Sequence, residues 1–364
     1  MQRRVLVGIV STVFVISLSI ALTLAFTLPK KNNDGEDPSP PNLIKVTPLN
    51  FIRAETNYIM RSMQALGILT GNGGVNVITH FRSFPDSPDF PIIRPNRDTL
   101  YSIVLTDSHI GPLQITLPPV DRYMSIECTN EDHIVEYYAI APAVFHIQKE
   151  TVTSRYIFCI IRTAVLNHDF DKTAIIQDRI TIKAEKDYEM KPLEMPLYDQ
   201  KSLSEVRYEL RMLFNHMPDS RKMFGSVQDI DDIPHLIGVA GGWGGLSEQY
   251  ALYTNSVVLK NDGETEYAVT VKDVPVNAFW SITVYDIEGF LLSDVDSSNI
   301  NSYGAEPNDD GSYTINFSNN PTKINNINIG IDWNYTIRLY QPDQTIIDGE
   351  WIFPNATEVT TDMR

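Results

Sequence analysis

Short runs in which apolar and polar positions alternate recur in both halves of the chain and predict β-strands. The first half contains TLYSIVLT, LQITLP, YMSIEC and SRYIFCIIRTAV, and the second half contains EYAVTVKD, FWSITVYD, GSYTINF and NYTIRLY. These runs are rich in β-branched and aromatic residues, and Pro, Gly, Asp or Asn residues separate them. The pattern is typical of an antiparallel sandwich or barrel.

Two other segments carry apolar residues at helical intervals. The first begins after Thr47, which can cap a helix, and ends at Gly67; the second covers residues 202–217. The chain is therefore expected to be mainly β with helical connections, an α+β class. The apolar positions that define the helices are Phe51, Ala54, Tyr58, Met63 and Leu66 in the first and Val206, Leu210, Leu213 and Phe214 in the second.

An uncharged and largely apolar run occupies residues 5–28, between Arg3 and Arg4 on one side and Lys30 and Lys31 on the other. As a helix this run is about 36 Å long, which is enough to cross a hydrocarbon core of about 30 Å. We expect an uncleaved signal-anchor that forms one transmembrane helix. A cleaved signal peptide and a buried core helix are the alternatives.

Charge and three sequons favour an extracytoplasmic location for the folded part. The N-terminal amine, Arg3 and Arg4 carry slightly more positive charge than Lys30 and Lys31 on the other side of the apolar run. The positive-inside rule therefore keeps the short N-terminus in the cytosol. The sequons begin at Asn316, Asn334 and Asn355. Strand alternation in SYTINF and NYTIRLY places the apolar residues inside and predicts that Asn316 and Asn334 face outward.

The chain has two cysteines, and strand alternation directs both toward a core. Cys128 shares a strand face with Met124 and Ile126, and Cys159 lies on the face of another strand that carries apolar residues. If the two strands are neighbours, a disulfide can join them, as in proteins of oxidising compartments. Two buried free thiols are the alternative, and the sequence leaves both open.

Composition divides the chain into six consecutive parts. Polar and Pro-rich residues follow the apolar run, and a Gly-rich stretch separates the two groups of strands. The parts are a transmembrane segment (1–28), a stalk (29–44), a β-rich domain with a leading helix (45–190), a helical and Gly-rich connection (191–255), a second β-rich domain (256–356) and a tail (357–364).

Overall charge and residue spacing exclude several classes of function. The net charge is −17, and Lys and Arg cluster nowhere beyond the N-terminus, so nucleic acid is not expected as a partner. The seven histidines and two cysteines show no HxH, HExxH or CxxC spacing. The sequence therefore predicts no cofactor and no local metal motif.

The segment RPNRDTLYS places Asn96, Arg97 and Asp98 directly before a strand that contains Tyr101. In a binding site, Arg97 would contact a ligand carboxylate or sulfate, Asp98 would hold the guanidinium, and Asn96 and Tyr101 would add hydrogen bonds. In a structural staple, Asn96 would cap a turn after Pro95, and the charged pair would satisfy buried backbone groups. Both interpretations are open at this point.

Two further side chains are candidate ligand contacts. His133 lies in ECTNEDHIVEYY, where carboxylates next to a histidine suit acid–base catalysis or a calcium-like site, although such a loop is commonly only solvated. Trp243 lies between paired glycines in GGWGG. It would serve either as an aromatic platform for a sugar or apolar ligand or as a plug in a tight turn.

Several of these segments resemble two families that are usually paired. TPLNFIRAET, RPNRDTLYS and GPLQITLPPVDRYMSIECTNE resemble the domain-of-unknown-function family numbered 1254, and YAVTVKDVPVNAFWSITVYDIEGFLL and YTIRLYQPDQTIIDGEWIFP resemble the family numbered 1214. The resemblance covers about residues 46–354. It implies two β-rich units, the second of jelly-roll type, bridged by helices and often assembled into oligomers, and it carries no catalytic residues.

Two functions are consistent with these features. The first is a membrane-tethered binding or structural ectodomain, displayed on a cell, organelle or virion surface, with a homo-oligomeric state and a glycan or small-molecule ligand. The second is an extracytoplasmic hydrolase that acts on a glycan or a small amide. The anchor, the sequons and the absence of catalytic spacing favour the first, and the Arg97–Asp98 cluster and the loop around His133 support the second.

Overall fold

A computed structural model describes residues 42–69, 74–84, 94–186, 191–292 and 297–360. The apolar run at residues 5–28, which we expect to span a membrane, lies outside these ranges, as does most of the stalk. Across the part of the chain that is described, no helix is both long enough and apolar enough to cross a bilayer. The prediction of a mainly β protein with a few helices is confirmed.

The described residues form sixteen strands and five α-helices. The helices are α1 (Phe51–Leu69), α2 (Phe170–Gln177), α3 (Gln200–Phe214), α4 (Asp232–Gly242) and α5 (Gln344–Ile347). The strands are β1 (Ile78–His80), β2 (Thr99–Asp107), β3 (Leu113–Leu117), β4 (Met124–Thr129), β5 (Val135–Ile140), β6 (Ala143–Ile147), β7 (Tyr156–Ala164), β8 (Thr181–Ala184), β9 (Ala251–Ser256), β10 (Tyr267–Val271), β11 (Val276–Tyr285), β12 (Asn299–Asn301), β13 (Tyr313–Phe317), β14 (Asn326–Ile327), β15 (Asn334–Pro342) and β16 (Thr357–Glu358).

The chain divides into two compact units that are each discontinuous in sequence. The first unit contains residues up to Phe81, then Tyr101–Arg162 and Ile175–Glu209. The second contains Arg82–Leu100, Thr163–Ala174 and the residues from Leu210 onward. This division differs from the consecutive domains expected from composition, because two short segments of the N-terminal half belong to the second unit.

The first unit is built on a five-stranded sheet with the order β1-β2-β7-β4-β5 and a three-stranded sheet with the order β6-β3-β8. Apolar residues from both sheets form one core, with Ile115 of β3, Ile126 of β4 and Ile157 of β7 fully buried. Helix α1 is tied to α3 by a charged pair, in which Arg207 donates to Glu55 at 2.6 Å. Both helices occur where periodicity predicted them, although Leu213 of α3 is exposed rather than on the buried face.

The second unit contains two four-stranded sheets, β14-β13-β10-β16 and β12-β11-β15-β9. Large aromatic side chains from both sheets fill their common core, and the rings of Phe317 and Trp333 stack at 5.2 Å. Residues Tyr335, Ile337 and Leu339 of β15 point into this core, as strand alternation predicted.

The other face of the β12-β11-β15-β9 sheet is polar and is also buried. Residues 94–98, which we call the strap, contact this face through side chains of β11, β12 and β15. Because the strap covers the face that alternation assigned to solvent, Asn334 is only 8% exposed. The prediction that Asn334 faces outward is therefore wrong.

Candidate functional site

The strap is fixed to the second unit by the carboxylate of Asp98, which is fully buried. Ser281 of β11 donates to one carboxylate oxygen at 2.6 Å, and Asn299 and Asn301 of β12 donate to the other at 2.9 and 3.0 Å. Three neutral donors thus satisfy a buried charge that would otherwise be costly. These three donors all belong to the second unit, as Asp98 does.

The amide of Asn96 forms the turn that the structural interpretation required. Its Oδ1 accepts hydrogen bonds from the backbone N–H groups of Asp98 and Thr99, and its Nδ2 donates to the hydroxyl of Tyr340. An asparagine that bonds to backbone groups two and three residues later is a common turn-forming device. Asn96 therefore shapes the strap and is 6% exposed.

Arg97 does not form the predicted fork with Asp98. Its guanidinium lies over the ring of Phe84, with the carbon Cζ 4.9 Å from the ring centroid. The Asp98 carboxylate is bonded instead to β11 and β12. The expectation that Asp98 holds the Arg97 guanidinium is wrong, since the donors to this carboxylate are Ser281, Asn299 and Asn301.

Two arginines that sequence reasoning did not single out as site residues contribute to these contacts: Arg94 lies in the strap, and Arg338 lies on β15. Arg338 of β15 donates to the hydroxyl of Tyr285 at 2.6 Å and to the backbone oxygen of Arg94 at 3.0 Å. Although burial acts in the opposite direction, nearby Tyr285, Tyr340 and Asp98 raise the pKa of Arg338. Burial, together with the charge of Arg338, lowers the pKa of Arg94 to about 10. These contacts favour the structural interpretation of the strap over a binding site.

The remaining sequence-predicted candidates lie in different places. Tyr101 and His133 belong to the first unit, whereas Asn96, Arg97, Asp98 and Trp243 belong to the second. His133 is fully buried, in a tight turn where its φ is 59° and its N–H donates to the Asn130 oxygen. Trp243 follows α4 and is 6% exposed, so it fills the interior and does not form an exposed platform.

The acidic loop around His133 is held by one arginine of α1. Arg53 donates to Asp132 at 2.6 Å and to Glu131 at 3.2 Å. Two carboxylates of this loop therefore have a cationic partner. Among the residues that the structure describes, no group of three or more His, Cys, Asp or Glu side chains is arranged to hold a metal ion.

A polar cluster in the first unit has the properties of a functional site. Glu127 of β4 is 1% exposed, and its Oε1 is 4.0 Å from the guanidinium of Arg162 on β7. Tyr138 of β5 lies directly opposite Glu127, and Tyr123 donates to the hydroxyl of Ser125 at 2.8 Å. We call these five residues the Glu127 cluster.

Among the residues that the structure describes, neither carboxyl oxygen of Glu127 has a hydrogen-bond partner. Burial raises the pKa of Glu127 to about 8, and the opposing effect of Arg162 is smaller. Burial also raises the pKa of Tyr123 and of Tyr138, so both phenols stay protonated. Near neutral pH, Glu127 is therefore largely a neutral acid that can donate or accept a proton.

The Glu127 cluster lies toward an edge of the five-stranded sheet. The sheet ends at β5, and all six residues of β5 are half-buried. Tyr138 is thus half-buried, whereas the other four members of the cluster are buried. Tyr138 is therefore the most exposed member of the cluster.

Sequence reasoning considered Glu127 only as part of an acidic loop and did not single out Arg162, Tyr123 or Tyr138. Alternation in β4 does carry a signal, since Met124, Ile126 and Cys128 share one face and Glu127 lies on the other. That signal predicts a half-exposed strand. All six residues of β4 are buried, because the tertiary structure covers both faces.

A disulfide joins Cys128 of β4 to Cys159 of β7. These strands are neighbours in the five-stranded sheet, and both cysteines are fully buried in the core of the first unit. Of the two states that the sequence left open, the structure has the disulfide. No cysteine remains free.

The three sequons differ in accessibility. Asn355 is exposed, and Asn316 is half-buried, with its Nδ2 donating to the Ile324 oxygen at 2.8 Å. The Nδ2 of buried Asn334 donates to the Asp286 oxygen at 2.6 Å, and its Oδ1 accepts from Arg94. A glycan on Asn334 would have to displace both contacts.

Structural comparison finds the same fold in two proteins of low sequence identity. A crystal structure of the VPA0106 protein from Vibrio parahaemolyticus matches with a TM-score of 0.60 and 16% identity, over 86% of this chain and all of that one. A crystal structure of a putative uncharacterized protein from Burkholderia cenocepacia matches with a TM-score of 0.52 and 13% identity, over 96% of each chain. These likenesses concern the fold alone.

Comparison with family models confirms the resemblance inferred from the sequence. The model described as protein of unknown function DUF1254 matches residues 75–133, and the model described as protein of unknown function DUF1214 matches residues 250–344. A search of curated proteins found no match. The chain thus resembles the paired families DUF1254 and DUF1214, in that order from the N-terminus to the C-terminus.

Proposed function

We propose that this protein binds a small polar ligand at the Glu127 cluster of its first unit. The observation that carries the proposal is the carboxyl group of Glu127, which is 1% exposed and makes no hydrogen bond to any residue that the structure describes. Buried polar groups in native proteins are nearly always satisfied, and exceptions concentrate at functional sites. A ligand that contacts Glu127 would provide the missing partner.

The chemistry of the neighbours fits recognition of a polar molecule. Arg162 contributes a guanidinium, and Tyr123, Tyr138 and Ser125 contribute hydroxyl groups. Small-molecule sites commonly combine a few such groups with apolar walls. By strand alternation, the buried Phe158 and Ile160 of β7 lie on the same face as Arg162.

The setting that we propose is a membrane-tethered, extracytoplasmic one. Residues 5–28 are long and apolar enough for an anchor, and a buried disulfide is typical of oxidising compartments. Extraction of membranes with alkaline carbonate tests the anchor. We expect the full chain to stay with the membrane pellet and a variant that lacks residues 1–41 to be released; release of both would contradict the anchor.

The hydrolase alternative depended on the Arg97–Asp98 pair and on His133. Asp98 is bonded to Ser281 and to two asparagines of the second unit, and His133 lies in the first unit. No specific observation favours hydrolysis, so we propose binding alone.

Ligand-observed NMR with a collection of small polar metabolites tests the binding proposal. We expect ligands that bind the wild-type protein to lose binding in Glu127→Leu, because leucine cannot form the polar contact. Glu150→Leu is the matched control, since Glu150 is exposed in the same unit. Circular dichroism establishes that both variants are folded. Ligands that bind Glu127→Leu with unchanged affinity would contradict the proposal.

A further inference from the structure

We infer that Asn57 of α1 is a second contact of the ligand that binds Glu127, and that this ligand carries a planar group in which an N–H lies beside a C=O, as in a carboxamide or a lactam. This inference rests on the proposed function. It adds a residue to the site and names the chemical class of the ligand.

Asn57 is a buried amide without a partner in the described part of the chain. It is 1% exposed, and neither its Oδ1 nor its Nδ2 forms a hydrogen bond to a described residue. Gln64, a second buried amide of the same helix, differs, because its Nε2 donates to the backbone oxygen of Lys191 at 2.9 Å. Since buried polar side chains in native proteins are nearly always bonded, Asn57 needs an explanation of the same kind as Glu127.

Helix α1 crosses the five-stranded sheet from one edge to the other. Near its start, Arg53 donates to Asp132 in the loop that leads from β4 to the edge strand β5. Near its end, a Cβ on Gly67 would lie 3.5 Å from Oγ1 of Thr79 on β1, the opposite edge strand. The helix therefore lies across the strands between these edges, which include β4 and β7.

The helix covers the face of the sheet that bears Glu127. Alternation places Glu127 on the opposite face of β4 from Cys128, and Tyr156 on the opposite face of β7 from Ile157, and both Cys128 and Ile157 point into the core. Glu127 and Tyr156 therefore share the other face. Tyr156 lies near Arg61 of α1, because it opposes the effect by which burial lowers the pKa of Arg61.

Asn57 lies on the side of α1 that is directed at this face. It follows Arg53 by one turn and precedes Arg61 by one turn, and residues four apart share one side of a helix. Asn57 and Glu127 thus belong to the two surfaces that meet between helix and sheet. Both are buried, and neither has a hydrogen-bond partner among the described residues, so one ligand between them would satisfy both.

The chemistry of the two groups selects the ligand. The carboxamide of Asn57 has a donor beside an acceptor in one plane. Burial raises the pKa of Glu127 to about 8, so near neutral pH its carboxyl group also has an O–H beside a C=O. A ligand carboxamide or lactam matches this arrangement with its own N–H and C=O. A ketone or a carboxylate offers acceptors alone and would leave Oδ1 of Asn57 without a donor.

The experiment uses two pairs of probes, acetamide with acetone and benzamide with acetophenone, titrated by NMR into the full chain at pH 7. The members of each pair have similar shape, but only the amides have an N–H. We expect the amides to bind at least about tenfold more tightly than the ketones, because a ketone leaves a buried acceptor unpaired. Asn57→Leu should weaken amide binding at least about tenfold and leave ketone binding unchanged.

Urea denaturation without ligand supplies an independent readout. Leucine is similar in size to asparagine and removes a buried polar group that has no described partner, so Asn57→Leu should keep or raise the midpoint of unfolding. Gln64→Met is the matched control and should lower the midpoint, because the backbone oxygen of Lys191 loses its donor.

Four results would overturn the inference. If the ketones bind as tightly as the amides, or if no probe binds the wild-type protein, the ligand class is wrong. If Asn57→Leu lowers the midpoint as much as Gln64→Met, Asn57 has a structural role. If metabolites that lose binding in Glu127→Leu bind Asn57→Leu with unchanged affinity, Asn57 is not a contact, although the proposed function survives. The metabolite screen with Glu127→Leu tests that function separately.

Discussion

Glu127 and Asp98 both carry buried carboxyl groups, but the two groups differ in their hydrogen bonding. Asp98 accepts three hydrogen bonds from neutral side chains and lies near Arg338. Glu127 accepts no hydrogen bond from the described part of the chain, and its closest approach to the Arg162 guanidinium is 4.0 Å. A satisfied carboxylate stabilises the fold around it, whereas an unsatisfied one destabilises the fold and is retained where a function requires it.

The raised pKa of Glu127 predicts that stability depends on pH. Between its ordinary pKa of 4.5 and about 8, Glu127 keeps a proton in the folded protein that the unfolded chain has released. The free energy of unfolding should therefore fall as the pH rises through this range, by up to about 5 kcal/mol from this group, and level off above it. Urea denaturation from pH 5 to pH 9 measures the effect.

The variant Glu127→Gln should lack this contribution, because an amide does not titrate. The difference in unfolding free energy between wild type and variant should therefore change with pH. Glu150→Gln, which alters an exposed residue of the same unit, should leave the pH profile unchanged. The same wild-type–variant difference at pH 5 and pH 8 would refute a raised pKa.

Removal of the Asp98 carboxylate should destabilise the second unit. Asp98→Ala would leave Ser281, Asn299 and Asn301 without their acceptor and Arg338 without its nearby negative charge. We expect a loss of about 3–5 kcal/mol in the free energy of unfolding. Asp309→Ala, at an exposed position, is the control. A change of the same small size in both variants would show that the strap is not held by Asp98.

Strand β15 shows how one element can be buried on both faces. Its Tyr335, Ile337 and Leu339 enter the core of the second unit, and its Asn334 and Arg338 contact the strap. Polar residues occur on the strap-facing side because the strap brings backbone oxygens and a carboxylate that need donors. A polar–apolar alternation therefore does not always mean that the polar side faces water.

At the level of paired strands, the disulfide between β4 and β7 should contribute to stability. It joins residues that are 31 positions apart. A disulfide that closes a loop of this size lowers the entropy of the unfolded chain. In the loop-closure model it raises the free energy of unfolding by about 3–4 kcal/mol. The double variant Cys128→Ala/Cys159→Ala should lose that amount in urea denaturation. A reducing agent should destabilise the wild-type protein but not the variant; equal stability of the two in oxidising buffer would contradict the prediction.

At the scale of the whole molecule, the accessibility of each sequon in the fold predicts which asparagines can be glycosylated. If the folded part enters a glycosylating compartment, attachment depends on which asparagines are reachable once the second unit has formed. Asn355 is exposed, whereas the amide of Asn334 is bonded on both atoms. Acceptors in flexible or surface segments are modified more readily than buried ones.

We therefore predict that Asn355 carries a glycan when the chain is expressed in a glycosylating secretory pathway. Asn355→Gln should increase gel mobility by the amount expected for the loss of one glycan. Glycosidase treatment should remove this difference between variant and wild type. Asn334→Gln is the matched comparison and should leave mobility unchanged. A mobility shift for Asn334→Gln alone would show that the strap is not in place when the sugar is attached.

The sequence by itself determined the secondary-structure class, since strand alternation and turn residues are local properties. It correctly indicated most strands, helices α1 and α3, the core faces of β13 and β15 and the direction of both cysteines. Segments in the two halves of the chain also sufficed for the resemblance to DUF1254 and DUF1214, which family models confirm. The apolar run at residues 5–28 predicts an anchor from length and composition alone.

Only the tertiary structure decided which polar residues are buried and which of the buried ones have hydrogen-bond partners. Asp98 finds its donors about 200 positions later in the chain, at Asn299 and Asn301, and Glu127 meets Arg162 across neighbouring strands. Alternation assigns a residue to one face of a strand, but it does not show what covers that face. The roles of Asp98 and Glu127 depend on long-range packing, which no local pattern encodes.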